Sequence, residues 1–461
     1  MQANYKNIGL IADAEIELNG ITVIAAPNNS GKSSLSKTLY MFLETLNSFQ
    51  EEYTLFRDAI IDDSLTLFFR FLNRKIDYET RKKLIGEFHK RVEINGIDNI
   101  LEVELDEETE SVHSYFGLAA WFNRDSSFSL YLKENIEILK DICYEFEIES
   151  EGIDLIEDTL SYFEHSPEKQ MELVLGSKVR SYFDDDLISR NVEGAGHFSL
   201  SDNQSEFKNL ILQSSFDKSS RITDLMFQTR LYEFREVLYI DSFIDLENYS
   251  YRQYYSNIAS RGDVRGKSAT TFRNLIESRE NVNPLRPDIK IQEELLLDIN
   301  QIIEGSVERS NENIVYTRNH QQFSLKNTAT GIKIFGVLQL LLRNYQMTSD
   351  LFLIIDEPET NLHPVWQVKL AEIIVLLNKR LGTRFMINSH SSNFIEGIKL
   401  YSELYDCEHQ VEFYLINPLE KKNHSVRKVT TNIQLAYNQL NGSLDLLDDV
   451  SERILNKNRE R

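Results

Sequence analysis

The chain has 461 residues, of which 41% are hydrophobic, and at about 100–200 residues per domain this predicts two or three structural units with a sizeable core. No apolar run reaches the ~20 residues of a membrane span, and MQANYKN has no basic stretch leading into an apolar core, so neither a membrane segment nor a secretory leader is expected. The formal charge of −23 argues against the whole surface as a non-specific nucleic-acid binder, which works mainly by neutralising phosphates, and leaves only a local basic groove open.

Asn7 to Ile11 and Ala14 to Leu18 read as strands. Asn19-Gly20, between the second of them and Ile21-Thr22-Val23-Ile24-Ala25, is the usual sign of a hairpin. Ala26 to Ser33 (APNNSGKS) then follows the spacing G-x-x-x-x-G-K-[ST] of a phosphate-binding loop, with Ala26 in place of the first glycine. Behind it comes a helix striped by Leu35, Leu39, Phe42, Leu43 and Leu46. In this strand–loop–helix context the backbone of Asn28, Asn29, Ser30 and Gly31, with Ser34 at the helix start, is expected to cradle phosphate with the aid of the helix dipole. Lys32 would place its charge against the β- and γ-phosphates of ATP, and Ser33 would offer a hydroxyl to Mg²⁺.

From residue 49 to residue 231 the apolar residues scatter among charges, and a mainly helical insertion is expected. Its helices fall at Tyr78 to Val92, Leu130 to Phe146 and Ile153 to Phe163, with strands conceivable between His197 and Leu212. The insertion lacks sustained heptads and a C-x-x-C apex, so it is no zinc-hooked coiled-coil arm. Arg235 to Phe243 reads as a core strand, and Leu246 to Pro287, with its isolated Gly266-Lys267-Ser268, as an irregular surface loop. Ile289 to Ile303 is expected to be a helix, and Asn313 to Tyr316 with Gln322 to Leu325 a hairpin. Thr328 to Lys333 leads into a further helix striped by Ile334, Val337, Leu338 and Leu341.

Leu351 to Ile355 is a wholly apolar strand ending in Asp356-Glu357, the form of a Walker B segment. Asp356 would hold Mg²⁺, and Glu357 would orient and activate the attacking water. After a structured turn (Pro358 to Pro364) and a helix carrying Trp366, Leu370, Ile373, Ile374 and Leu377, the strand Thr383 to Asn388 delivers Ser389-His390-Ser391-Ser392. The strand after Walker B is expected beside the phosphate loop, so His390 would reach the γ-phosphate. Val411 to Ile416 is a late strand, while Asp445, Asp448 and Asp449 read as a solvated acidic helix face rather than metal ligands. Only two cysteines occur, Cys143 and Cys407, which argues against a zinc site or a disulfide scaffold and suits a reducing cytoplasm.

Taken together, the antiparallel strands, APNNSGKSS, the large insertion, TATGIK, FLIIDEPETNLHP and INSHSS resemble the ABC-type ATPases of the SMC-like and OLD-like branch. Within it the likeness is to compact bacterial AAA-type ATP-binding proteins of anti-phage defence systems, such as the ATPase subunit of Septu, whose partner is an HNH nuclease. The ATPase of PARIS, paired with a TOPRIM protein, is a looser likeness. The resemblance spans Met1 to Phe49 and Arg235 to Ile416. It implies an α/β P-loop NTPase head of ABC type, with an N-terminal antiparallel β-subdomain. Its N-terminal lobe would be residues 1–48, its insertion 49–231 and its C-terminal lobe 232–461. It also implies that Thr328 to Ile332, with Thr330 and Gly331, form the signature segment touching nucleotide held by the opposite protomer. Asn361 to His363 would be the D-loop, and His390 the switch histidine. Homodimers or larger even-numbered assemblies would follow, with an effector nuclease as partner and no membrane contact. Ala329 stands where the family has a serine, and Asp241 where a Q-loop glutamine is expected, which with Ala26 implies slow or regulated turnover. Two other functions compete: a self-contained nuclease of OLD type, for which no spaced Glu…Asp-x-Asp set follows His390, and an SMC-like DNA repair or tethering ATPase, which the acidic balance opposes.

Overall fold

The computed structural model describes residues 1–75, 140–147, 161–188, 194–202, 209–228, 236–241, 264–277, 286–310, 313–418 and 424–441, with a few isolated positions besides. The chain forms two compact units, Met1–Asn47 with Leu175–Arg461, and Ser48–Val174.

The first unit begins with strands β1 (Gln2–Ile8), β2 (Ile11–Glu17) and β3 (Ile21–Ala25). Helix α1 (Lys32–Lys75) starts here with its Lys32–Asn47 part. Helix α2 (Pro167–Phe183), which belongs to this unit from Leu175 on, leads to β4 (Gly196–Asp202), β5 (Asn209–Phe216), β6 (Ile222–Phe227) and β7 (Glu236–Ile240). Helices α3 (Val264–Glu277) and α4 (Asp288–Ile302) precede a small meander of β8 (Ser306–Ser310), β9 (Asn313–Arg318) and β10 (Gln321–Ser324). Then come α5 (Thr330–Arg343), β11 (Leu351–Asp356), α6 (Pro364–Leu381), β12 (Arg384–Ser389), α7 (Ser392–Leu404), β13 (Val411–Pro418) and β14 (His424–Lys428).

Eleven of these strands make one sheet in the order β6-β5-β4-β1-β2-β14-β13-β3-β12-β11-β7. The block β13-β3-β12-β11-β7 is parallel throughout. Its strands are buried on both faces, which is why they read as unbroken apolar runs. Ile21, Val23 and Ala25, with Leu351, Leu353, Ile355, Phe385 and Ile387, point to one face and share a core with α3 to α7. Tyr239, from the other face, meets Tyr40 of α1 with ring centroids 5.7 Å apart. Phe42 stacks on Phe198 of β4 at 4.1 Å, so α1 also covers the antiparallel end of the sheet. A buried ion pair between Lys178 and Glu44 ties α2 to α1 within this unit.

In the second unit the Tyr53 hydroxyl lies 2.8 Å from His165 Nδ1, and the Arg57 guanidinium sits 4.0 Å over the Phe163 ring. Cys143 there, and Cys407 in the first unit, are free and buried.

Several expectations need correction. The first strand runs over Gln2–Ile8, not Asn7 to Ile11, and the chain reverses through Gly9, with φ at +53°, into β2. Asn19-Gly20 closes no hairpin, since β2 pairs with β1 and β14 while β3 lies between β13 and β12. Gly20 is there for a close approach instead, because a Cβ at that position would stand 2.5 Å from the Gln410 carbonyl oxygen. The stretch 49–231 does not hold together as one helical insertion. Residues 48–174 form the second unit, while β4, β5 and β6 extend the main sheet, β4 pairing directly with β1. Gly266-Lys267-Ser268 lies in helix α3 rather than a loop, held by Phe272, Leu275 and Ile276, which bury one side of that helix. The helix at Tyr78 to Val92 lies almost wholly outside the described residues, as do most of those at Leu130 to Phe146 and Ile153 to Phe163, and the acidic cluster Asp445, Asp448 and Asp449 lies outside them entirely. No helix among the described residues is long and apolar enough to cross a membrane.

Candidate active site

The loop between β3 and α1 turns through two left-handed residues, Asn29 (φ +60°) and Gly31 (φ +91°). Gly31 is also confined, since a Cβ there would come within 3.1 Å of Ile11 Cδ1. Ala26 is buried and does not take a positive φ, so losing the motif's first glycine puts no strain on the backbone there. The Gly31 carbonyl accepts from Leu35 N and opens the helix, so the amide end of α1 faces the loop. The buried Ser30 hydroxyl finds no hydrogen-bond partner among the described residues. A strand, a doubly left-handed loop, a helix N-terminus and an orphaned hydroxyl fit an anion such as a nucleotide phosphate. Ser34 faces the other way, its Oγ 3.0 Å from where a Cβ at Gly9 would lie.

Lys32 is buried and donates to the carbonyl oxygens of Ala26 (2.6 Å) and Pro27 (3.0 Å). Its Nζ also stands 3.6 Å from Glu357 Oε1. Burial holds its pKa below the usual lysine value, against the opposing pull of Glu357, Asp356 and Glu359.

Asp356 ends β11, and both of its oxygens are held: Tyr239 OH donates to Oδ2 (3.1 Å) and Asn388 Nδ2 to Oδ1 (2.9 Å). The same Asn388 amide also lies 2.7 Å from Ser36 Oγ, so it links the α1 turn that follows Ser33 to the end of β11. Each Asp356 oxygen keeps a further lone pair, as a shared Mg²⁺ site would need. Among the described residues no group of three His, Cys, Asp or Glu could hold a metal by itself. Mg²⁺ bound by one carboxylate, one hydroxyl and phosphate oxygens matches that donor set.

Glu357 follows in the left-handed region (φ +52°), its N–H donating to the Asn388 carbonyl at 2.9 Å. That turn sets Oε1 between Lys32 Nζ and His390 Nδ1, the latter 3.5 Å away. Glu359, only 2% exposed, accepts from Ser389 Oγ (2.7 Å), His390 N (2.8 Å) and Ser391 N (3.2 Å). Burial raises its pKa above the ordinary glutamate value, and those donors offset only part of the rise. Ser391 caps α7, its Oγ accepting from Phe394 N.

A cleft of about 480 Å³ opens beside these groups, lined in part by Asn28, Glu357, Thr360, His390, Ser391 and Asn393. The structure thus brings Asn28, Lys32, Glu357 and His390 to one place, with Asp356 tied through Asn388 to Ser36, one turn along α1. Gly331, in the first turn of α5, does not itself line this cleft. It abuts the turn after β11, where a Cβ would meet Leu362 Cδ2 at 2.5 Å, and Leu362 does line the cleft. Ala329, the N-cap of α5, supplies no side-chain cap.

Sequence reasoning passed over Glu359, Asn388, Tyr239 and Ser36. The signal was a polar group lodged in an apolar setting: Asn388 ends the run RFMIN, Tyr239 sits in EVLYI, and Glu359 lies in a turn otherwise flanked by proline and threonine.

Among families, the AAA ATPase domain matches residues 4–395. No curated protein matches the chain. Among solved structures the chain is similar to the SMC head domain from Thermotoga maritima, at 10% identity and a TM-score of 0.32, covering 57% of this chain and 88% of that one. It is similar to an SmcHead bound to the C-winged helix domain of ScpA, at 9% identity and a TM-score of 0.40, covering 94% and 98%. It is also similar to an Smc head domain with an extended coiled coil, bound to the C-terminal domain of ScpA and derived from Pyrococcus furiosus, at 9% identity and a TM-score of 0.36, covering 98% of each chain. Likenesses this distant do not bear on function. The family match covers most of the 461 residues and includes the β3–α1 loop, the Asp356-Glu357 strand end and His390, and the chain belongs to the AAA ATPase domain family.

Proposed function

We propose that the protein is a cytoplasmic, ATP-driven switch that binds and slowly hydrolyses ATP with Mg²⁺. The observation that carries this reading is the convergence on Glu357 Oε1 of Lys32 Nζ, 3.6 Å away, and His390 Nδ1, 3.5 Å away, beside an open cleft. In this reading the backbone of Asn28 to Gly31 and the Ser33–Ser34 helix start bind the phosphates. Lys32, released from the Ala26 and Pro27 carbonyls, pairs with the β- and γ-phosphates. Ser33 and Asp356 share the Mg²⁺, which supplies charge neutralisation on the phosphate oxygens. Glu357 orients the attacking water, and His390 meets that water with the far edge of its ring, beside the terminal phosphate.

Thr330 and Gly331 then serve the neighbouring protomer. The motif resemblance supports this role, and Gly331 packs against Leu362, at the rim of this chain's own cleft. Two nucleotides would be sandwiched between two chains, giving a homodimer or a larger even-numbered assembly. ATP can drive such a switch only by binding one assembly state better than the other. We assign the output to a partner effector nuclease of HNH or TOPRIM type in anti-phage defence, on the strength of the motif resemblance. The test of assembly is Glu357→Gln with ATP and Mg²⁺, followed by light-scattering mass. A mass at least doubled by ATP and returned by its removal is expected; a mass that ignores nucleotide would overturn the sandwich.

A further inference from the structure

We propose that Glu359 is the positioning residue of the site: its buried carboxylate holds the turn at residues 389–391 and sets the His390 ring with Nδ1 inward and Nε2 toward the cleft. The proposal rests on the ATPase reading above for its effect on turnover, and on geometry alone for the ring. Oε1 of Glu359 gathers donors from three consecutive residues, Ser389 Oγ, His390 N and Ser391 N. It also stands 3.4 Å from His390 Nδ1, and Glu357 Oε1 is 3.5 Å from the same nitrogen. Nδ1 is buried, yet the His390 side chain keeps 38% of its surface exposed, so it is the far edge of the ring that meets the cleft.

A turn clamp needs no charge. A neutral carbonyl oxygen would accept the same N–H and O–H groups without the cost of burying a carboxylate. The ionised form of Glu359 has a neighbour that responds to it, the imidazole. Two carboxylates on the Nδ1 side place the ring proton there and leave Nε2 to the cleft. Contacts of 3.4–3.5 Å are longer than a hydrogen bond, and such contacts shorten as a site closes on its substrate. Glu359 therefore acts through His390 and touches no reacting atom.

The test uses Glu359→Gln, whose amide oxygen still accepts from Ser389, His390 and Ser391, together with His390→Ala and the double variant. The first readout is the spectrum of ¹⁵N-histidine-labelled protein without nucleotide, the His390 signals being identified by their loss in His390→Ala. The wild type should carry its proton on Nδ1, and Glu359→Gln should shift the tautomer balance toward Nε2. The second is ATP turnover. Glu359→Gln should lower kcat by about tenfold to a hundredfold, the usual cost of losing a group that orients a functional histidine. KM for ATP should stay near the wild-type value, and the double variant should be no slower than His390→Ala. A wild-type His390 protonated on Nε2, an unchanged tautomer balance, an unchanged kcat, or additive losses in the double variant would each overturn the proposal. If Glu359→Gln does not fold, the wild-type spectrum alone decides. If the wild type binds no ATP, the ATPase reading fails while the spectrum still decides the role of Glu359.

Discussion

Asn388 joins three parts of the site through one amide, which contacts Ser36 Oγ at 2.7 Å and Asp356 Oδ1 at 2.9 Å. Its side chain is fully buried, so nothing in solvent can replace it. Asn388→Ala should destabilise the fold by about 1–3 kcal/mol, the cost of leaving buried polar groups unpaired. Asn388→Asp should cost more, roughly 3–5 kcal/mol, because it sets a buried carboxylate against the half-buried Asp356. Urea unfolding of the two variants checks the order, and an aspartate variant as stable as the alanine one would contradict it. Glu359 gives a pH-dependent counterpart. Its folded pKa is raised by burial, so its contribution to stability is full below the unfolded value of about 4.3 and is lost as pH rises through the folded value. The melting temperature of Glu359→Gln should therefore gain on the wild type as pH is raised from that value toward neutrality. A gap that narrows over the same range would contradict the assignment.

At the scale of elements, glycines separate close backbone approaches from side-chain ones. Gly20→Ala would drive a Cβ to 2.5 Å from the Gln410 carbonyl oxygen, which cannot rotate away, so β3 or the segment before β13 must shift. A loss of roughly 1–3 kcal/mol is expected, as for overpacking elsewhere. Gly331→Ala meets the end of the Leu362 side chain, which can move, and should cost less in stability. Calorimetric melting of both variants checks the ranking.

The elements that were legible in the sequence share a physical cause. β3, β11 and β12 lie in the parallel block, so burial on both faces turned them into apolar runs with sharp ends. The β3–α1 loop and Asp356-Glu357 stand at those ends, where an apolar run gives way abruptly to polar residues. Pairing order was not legible. Asn19-Gly20 carries a hairpin signature, yet the neighbours of β2 and β3 are set by β13 and β14, some 400 residues later. Likewise β4 to β6 alternate weakly in sequence, and only pairing with β1 identifies them as part of the main sheet. Side-chain clamps such as Asn388 and Glu359 were missed because their partners are distant in sequence or lie in another turn.

For the molecule as a whole, the net charge of −23 makes a prediction about partners. Duplex DNA should leave ATP turnover unchanged at physiological salt, since a surface this acidic has little to gain from phosphate neutralisation. Stimulation by DNA that fades as salt rises would contradict this and favour a tethering or repair role. The central claim is that the loop around Lys32 binds ATP, and calorimetric titration of ATP with Mg²⁺ into the wild type and Lys32→Ala tests it most directly. The account predicts saturable binding to the wild type and a loss of at least a hundredfold in affinity for the variant, about 2.7 kcal/mol or more. Equal affinity in the two proteins would contradict it.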